Sequence, residues 1–174
     1  MPVKNRFAEL HDDITAWRRD LHEHPEILFE THRTSATVAE KLRAFGCDEV
    51  VEGIGRTGVV GVIKGNATTS GKVIGLRADM DALPVLERTG KDYASEVIDT
   101  TWTGVENGVM HACGHDIHMT TWVGTARKMV ANKDKWSGTL VMIAQPAEEI
   151  GLGAEAMIAD GLFERFPVPD YNIA

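Results

Sequence analysis

The stretch at 110–119, MHACGHDIHM, constrains this chain more than any other. Three of its seven histidines fall there, His111, His115 and His118, with Cys113 and Asp116 between them. A thiolate with imidazoles suits zinc and related divalent ions far better than calcium or magnesium. Read as extended backbone, residues 111, 113 and 115 project to one side. Gly114 lets the chain bend so that Cys113 and His115 can close on one ion. Met119, Trp122, Val123, Ala126, Met129 and Val130 follow at spacings of three and four, the stripe of a buried helix face. Cys113 is then expected just before a helix N-terminus, where the partial positive charge favours its thiolate. A Cys-x-His pair alone is equally well read as a buried free cysteine beside surface histidines.

The surrounding pattern is α/β. Residues 5–23 carry Phe7, Leu10, Ile14, Trp17 and Leu21 on one face and read as an amphipathic helix ended by Pro25. His22 and His24 stand at its end, where solvation is the expected state. Residues 32–45 read as a second helix, with Val38, Leu42 and Phe45 inward and Gly46 as the stop. Strands are expected at 56–64, 72–78 and 138–144, a helix at 153–161 stopped by Gly161, and the start of a further strand in the tail FPVPDYNIA. Such alternation predicts a three-layer α/β/α arrangement with helices on both sheet faces. The net charge of −8 argues against nucleic acid or an anionic membrane as partner. Two cysteines make no disulfide framework, and neither a signal peptide nor a long apolar span is visible, so a cytoplasmic setting is expected.

Two of the strands end in paired acids, Asp79 with Asp81 and Glu148 with Glu149. Sites in open α/β sheets form outside the carboxyl ends of the strands. If the two strands are parallel, both acid pairs lie at one edge, and the Cys-His stretch need only return there. Each pair alone is equally a solvated strand end. Adjacent glutamates are expected to point apart and divide their roles. Glu149 would hold a metal while Glu148, as general base, takes a proton from metal-bound water. Asp81 could hold the second ring nitrogen of a ligand histidine, or orient a bridging group from behind the ligands. The chemistry indicated is metal-assisted hydrolysis of an amide or related bond.

The stretches WRRDLHEHPEILFETHRTSATVAEKLRAFG, IGRTGVVGVIKG, LRADMDALPV, MHACGHDIHMT and QPAEEIGLGAEAMIADGLF together resemble the metal-dependent amidohydrolases of the aminoacylase and carboxypeptidase superfamily. The hippurate, N-acyl-amino-acid, N-acetyl-diaminopimelate and auxin-conjugate hydrolases are the most similar group. The resemblance implies a di-metal, exopeptidase-like catalytic domain using two divalent ions (manganese, zinc, nickel or cobalt). It implies Cys113, His115 and Glu149 as metal ligands, Glu148 as catalytic base and Asp81 as the aspartate near the metals. Asp79 stands where wider relatives carry a histidine ligand, and His111 and His118 take supporting places. The implied substrate is a small N-acyl amino acid. Members of that family are longer, with two further histidine ligands and a lid domain that mediates dimerisation. Residues 1–174 are accordingly expected to be the N-terminal part of the catalytic domain, with an incomplete sheet, little activity alone and a tendency to form homo-oligomers. The alternative is a non-catalytic remnant that binds metal weakly and self-associates.

Overall fold

The innermost strands show why helices must lie on both sides of the sheet. In the computed structural model, which describes residues 8–174, strands β2 (Gly58–Lys64) and β6 (Thr139–Gln145) are buried at six of their seven positions each. Side chains alternate between faces, so continuous burial requires a cover on each. Strand β3 (Val73–Asp79) pairs with β6 in parallel, and β2 pairs with β6 antiparallel. The edges are β1 (Glu49–Ile54), antiparallel to β2, and β7 (Tyr171–Ile173), parallel to β3, giving the order β1-β2-β6-β3-β7. Two short strands, β4 (Ile98–Asp99) and β5 (Asn107–Gly108), pair separately.

Helices α1 (His11–Glu23), α2 (His32–Phe45) and α3 (His115–Val130) cover one face. Leu21, Val38, Leu42, Met119 and Trp122 pack there on Val59, Ile63 and Met142. The Trp122 indole N–H, buried with its ring, donates to the Leu76 carbonyl at 2.8 Å. Helices α4 (Gly153–Ala159) and α5 (Leu162–Arg165) cover the other face, where Met157, Leu162 and Phe166 meet Val60, Val62, Val141 and Ile143. The three-layer α/β/α arrangement is therefore present, around a mixed sheet.

Several local expectations shift. Strand β1 was not anticipated, because its exposed glutamates and Gly53 break the apolar pattern of an edge strand. The helix expected at 153–161 is α4, which ends at Ala159; Gly161, at φ 87°, donates its N–H to Ile158 O at 3.0 Å as the expected stop and leads into α5. Gly46 does end α2, at φ 88°, a conformation that favours glycine. Phe7 lies outside the described residues. No helix among the described residues is long and apolar enough to cross a membrane.

The register that matters for function is that of β3 against β6. Asp79 lies opposite Gln145, so the carboxyl ends of both strands reach the same edge. Residues 111–114 do not extend as a strand; they form a turn, and α3 begins at His115.

Candidate metal centre

The centre is assembled at the edge where β3, β6 and the N-terminus of α3 meet. Gly114 takes φ 83° immediately before α3, and its carbonyl accepts N–H bonds from Ile117 and His118 in the first turn. That bend aims His115 back at the strand ends. Its Nδ1–H donates to the backbone carbonyl of Asp81 at 2.7 Å, which leaves Nε2 with its lone pair free. Facing Nε2 are Glu148 Oε2 at 3.7 Å, Asp79 Oδ2 at 3.9 Å and Glu149 Oε1 at 4.0 Å. The expectation that the two glutamates point apart does not hold, because both reach the same ring nitrogen. His115, Glu148 and Glu149 each place one donor atom within 4.8 Å of the others.

The acid pair owes this direction to its backbone. After β6, Ala147 adopts φ 49°, a left-handed conformation that is costly for a residue with a side chain. Its N–H donates to Leu28 O at 3.0 Å and its carbonyl accepts from Gly153 N at 3.1 Å, so the turn is held from both sides. The next two N–H groups both donate to Asp81, Glu148 to Oδ1 at 3.0 Å and Glu149 to Oδ2 at 3.2 Å. Of the two roles open to Asp81, holding a histidine ring or orienting a neighbouring group, it performs both with different atoms. Its carbonyl holds the ring, and its carboxylate clasps the backbone of the acid pair.

Four carboxylates in this small volume strain its electrostatics. Burial pushes the Asp81 carboxyl up to about 6, against the pull of the two N–H bonds. Burial also raises Asp79, opposed by Arg77, which is hydrogen-bonded to it, and by His115 and His118. His118 Nδ1 lies 3.2 Å from Asp79 Oδ2. Cys113 is exposed, with its thiol next to the acid pair. The neighbouring Glu149 carboxylate, some desolvation and the charge of Glu148 push the thiol up to about 11. The expected thiolate at the helix N-terminus is thus not favoured here. Two nearby carboxylates outweigh a partial charge of roughly half a unit. Cys113 sits beside the convergent trio instead of within it.

The residue chemistry fits a divalent cation. Glu149 Oε1 is buried with no hydrogen-bond partner among the described residues, and Nε2 of His115 is free to donate its lone pair. Imidazole, carboxylates and an adjacent thiol are a donor set for zinc, manganese and similar ions. A cation would also offset the clustered negative charge.

Sequence reasoning missed His22. Instead of being solvated it is 3% exposed. Its Nδ1 bonds Asp116 Oδ2 at 2.8 Å and its Nε2 bonds Glu87 Oε1 at 3.1 Å. The available signal was Asp116 itself, an acid on the buried face of α3 that requires a partner. His111 is also buried, with neither ring nitrogen bonded among the described residues, and burial pushes its ring down to about 4.

A family profile described as peptidase family M20/M25/M40 matches residues 75–174. Thermostable carboxypeptidase 1 of Saccharolobus solfataricus is 47% identical over 92% of this chain and 38% of its own length. The hippurate hydrolase of Campylobacter jejuni is 48% identical over 92% of this chain and 38% of its own. The chain therefore spans well under half the length of these curated relatives. Among solved structures, the Bacillus subtilis YXEP protein, described as a dinuclear metal-binding peptidase of the M20 family, superposes with a TM-score of 0.78. It is 38% identical, covering 90% of this chain and 40% of that one.

Proposed function

The chain belongs to the peptidase M20/M25/M40 family, and from that premise we propose that it supplies the metal-binding part of an amidohydrolase that cleaves the amide bond of N-acyl amino acids. The observation that carries the reading is the convergence of Glu148 and Glu149 on the free Nε2 of His115, within 4.0 Å. His115 and Glu149 would hold the ion, with Cys113 alongside. The two glutamates differ in a way that suits divided roles. Glu149 has a side chain 12% exposed with an unbonded buried oxygen, whereas that of Glu148 is 40% exposed and open to incoming water. Manganese, zinc, nickel and cobalt all suit these donors, and two ions match the description of the YXEP relative. Bound there, a divalent ion supplies Lewis acidity that polarises the amide carbonyl and makes water easier to deprotonate.

Glu148 takes the proton of the attacking water and returns it to the leaving nitrogen. Asp81 positions both glutamates through their N–H groups and His115 through its carbonyl. Catalysis is assigned to a chain of the relatives' length, with these residues as the N-terminal part of its catalytic domain; the 174-residue chain alone is expected to turn over little. Its two unpaired cysteines accord with a cytoplasmic setting. The exposed edge strand β7 accords with self-association.

The test uses hippurate hydrolysis and metal content, measured on a chain extended to the relatives' length. Glu148→Gln should lower turnover by at least ~10²-fold with metal content unchanged. Glu149→Ala should lose metal, and Cys113→Ser, beside the trio, should weaken its binding. Full turnover in the Glu148 variant would overturn the base assignment, and unchanged stoichiometry in both others would overturn the centre.

A further inference from the structure

Behind Cys113 a cavity of about 320 Å³ opens between α1, the N-terminus of α3 and the loop carrying Glu87, Lys91 and Tyr93. Cys113 and Gly114 line it and lead directly into His115, so the cavity adjoins the metal centre. Its wall contains an unusual concentration of unused polar atoms. Both ring nitrogens of His111 and Oδ1 of Asp116 are buried without hydrogen-bond partners among the described residues. These side chains are 3% and 0% exposed. Asp116 is not unpartnered as a whole. Its Oδ2 lies 2.8 Å from both His22 Nδ1 and Arg18 Nε, which fixes the carboxylate and leaves Oδ1 without a bond. Tyr93 lies beneath the Arg18 guanidinium at 5.0 Å and meets the His22 ring edge-on at 5.6 Å, so this wall is rigidly built.

We propose that this cavity is a subsite for an uncharged hydrogen-bonding group of the substrate, a carboxamide or a hydroxyl. An imidazole brings a donor and an acceptor, and Asp116 Oδ1 brings a second acceptor, so the fitting occupant both donates and accepts. A purely apolar group would leave three buried polar atoms desolvated and unbonded, which is costly. A charged group of either sign meets one like charge for each opposite one. Glu87 and Asp116 stand on one side of that balance, Arg18 and Lys91 on the other. That the group belongs to an N-acyl amino acid rests on the function proposed above; the polarity of the subsite does not.

Calorimetric titration of the 174-residue chain tests this without any turnover. The probes are N-acetylglutamine, N-acetylglutamate and N-acetylmethionine, which share a backbone and differ in the side-chain end. N-acetylglutamine should bind about tenfold more tightly than either of the others, the worth of one or two well-made hydrogen bonds. His111→Leu should erase that preference. Ile117→Trp, placed at the cavity mouth on an exposed position of α3, should block binding without disturbing the buried wall. In the wild type, the His111 ring nitrogens should shift in nitrogen-15 spectra on addition of N-acetylglutamine. Equal affinity for the three probes, no binding, a preference for glutamate, or a preference that survives Ile117→Trp would each overturn the subsite. Metal loss in Glu149→Ala reads the metal centre independently, so either assignment can fail without the other.

Discussion

At the scale of single residues, His111 and Asp81 show burial acting in opposite directions. Burial disfavours charge, so it pushes the His111 ring down to about 4 from 6.5 and the Asp81 carboxyl up to about 6 from 3.8. For His111 the unfolded chain takes up a proton that the folded chain refuses between pH 6.5 and about 4. Its contribution is therefore complete above pH 6.5 and lost as pH falls through that window. For Asp81 the folded chain holds a proton the unfolded chain releases, so stability from this group falls as pH rises from 3.8 to about 6. The two oppose each other over nearly the same range, and the wild-type profile alone would hide both. The difference between wild type and His111→Gln separates them. Measured by urea denaturation, wild type should lose about 2 kcal/mol relative to the variant on going from pH 7.5 to 5. A difference independent of pH would show that His111 titrates freely in the folded chain.

At the scale of elements, α1, α3 and the loop between β3 and β4 are tied together through one imidazole. His22 of α1 reaches Asp116 in the first turn of α3 and Glu87 in the loop, with all three side chains nearly inaccessible. Removing the imidazole leaves two buried acids without it. His22→Leu should therefore cost about 3 kcal/mol of stability, read as a lower urea midpoint. A midpoint within error of wild type would mean that Arg18 alone satisfies Asp116. Helix α2 has a comparable device at its start. The Glu26 carboxylate accepts the Arg33 and Thr34 N–H groups at 3.0 and 2.8 Å, where Thr31 makes no side-chain cap bond. The capping group comes from outside the helix, so no pattern within residues 32–45 announces it.

At the scale of the whole molecule, the sheet ends at β7 with all three residues exposed, Tyr171 and Ile173 among them. An apolar edge strand with unpaired backbone groups favours pairing with another chain. Light scattering at high concentration should find dimers or larger species, and Ile173→Lys should shift them towards monomer. A wild-type chain that stays monomeric would contradict the association. The three layers and most elements were legible in the sequence. So was the arrival of Asp79, Asp81, Glu148 and Glu149 at one edge, because apolar period and turn chemistry are local properties that survive without tertiary context. Helix α2 shows this best, since its 14 residues carry their own stripe and Gly46 follows directly as the stop. What tertiary structure decided were partnerships between distant residues. His115 found the Asp81 carbonyl across 34 positions, Glu148 found the Asp81 carboxylate across 67, and His22 found Asp116 across 94. No period in the chain encodes such distances. They are set by the β3–β6 register and by which buried polar atoms lack water, so the same histidine that looks solvated at a helix end becomes the clasp of a buried acid network.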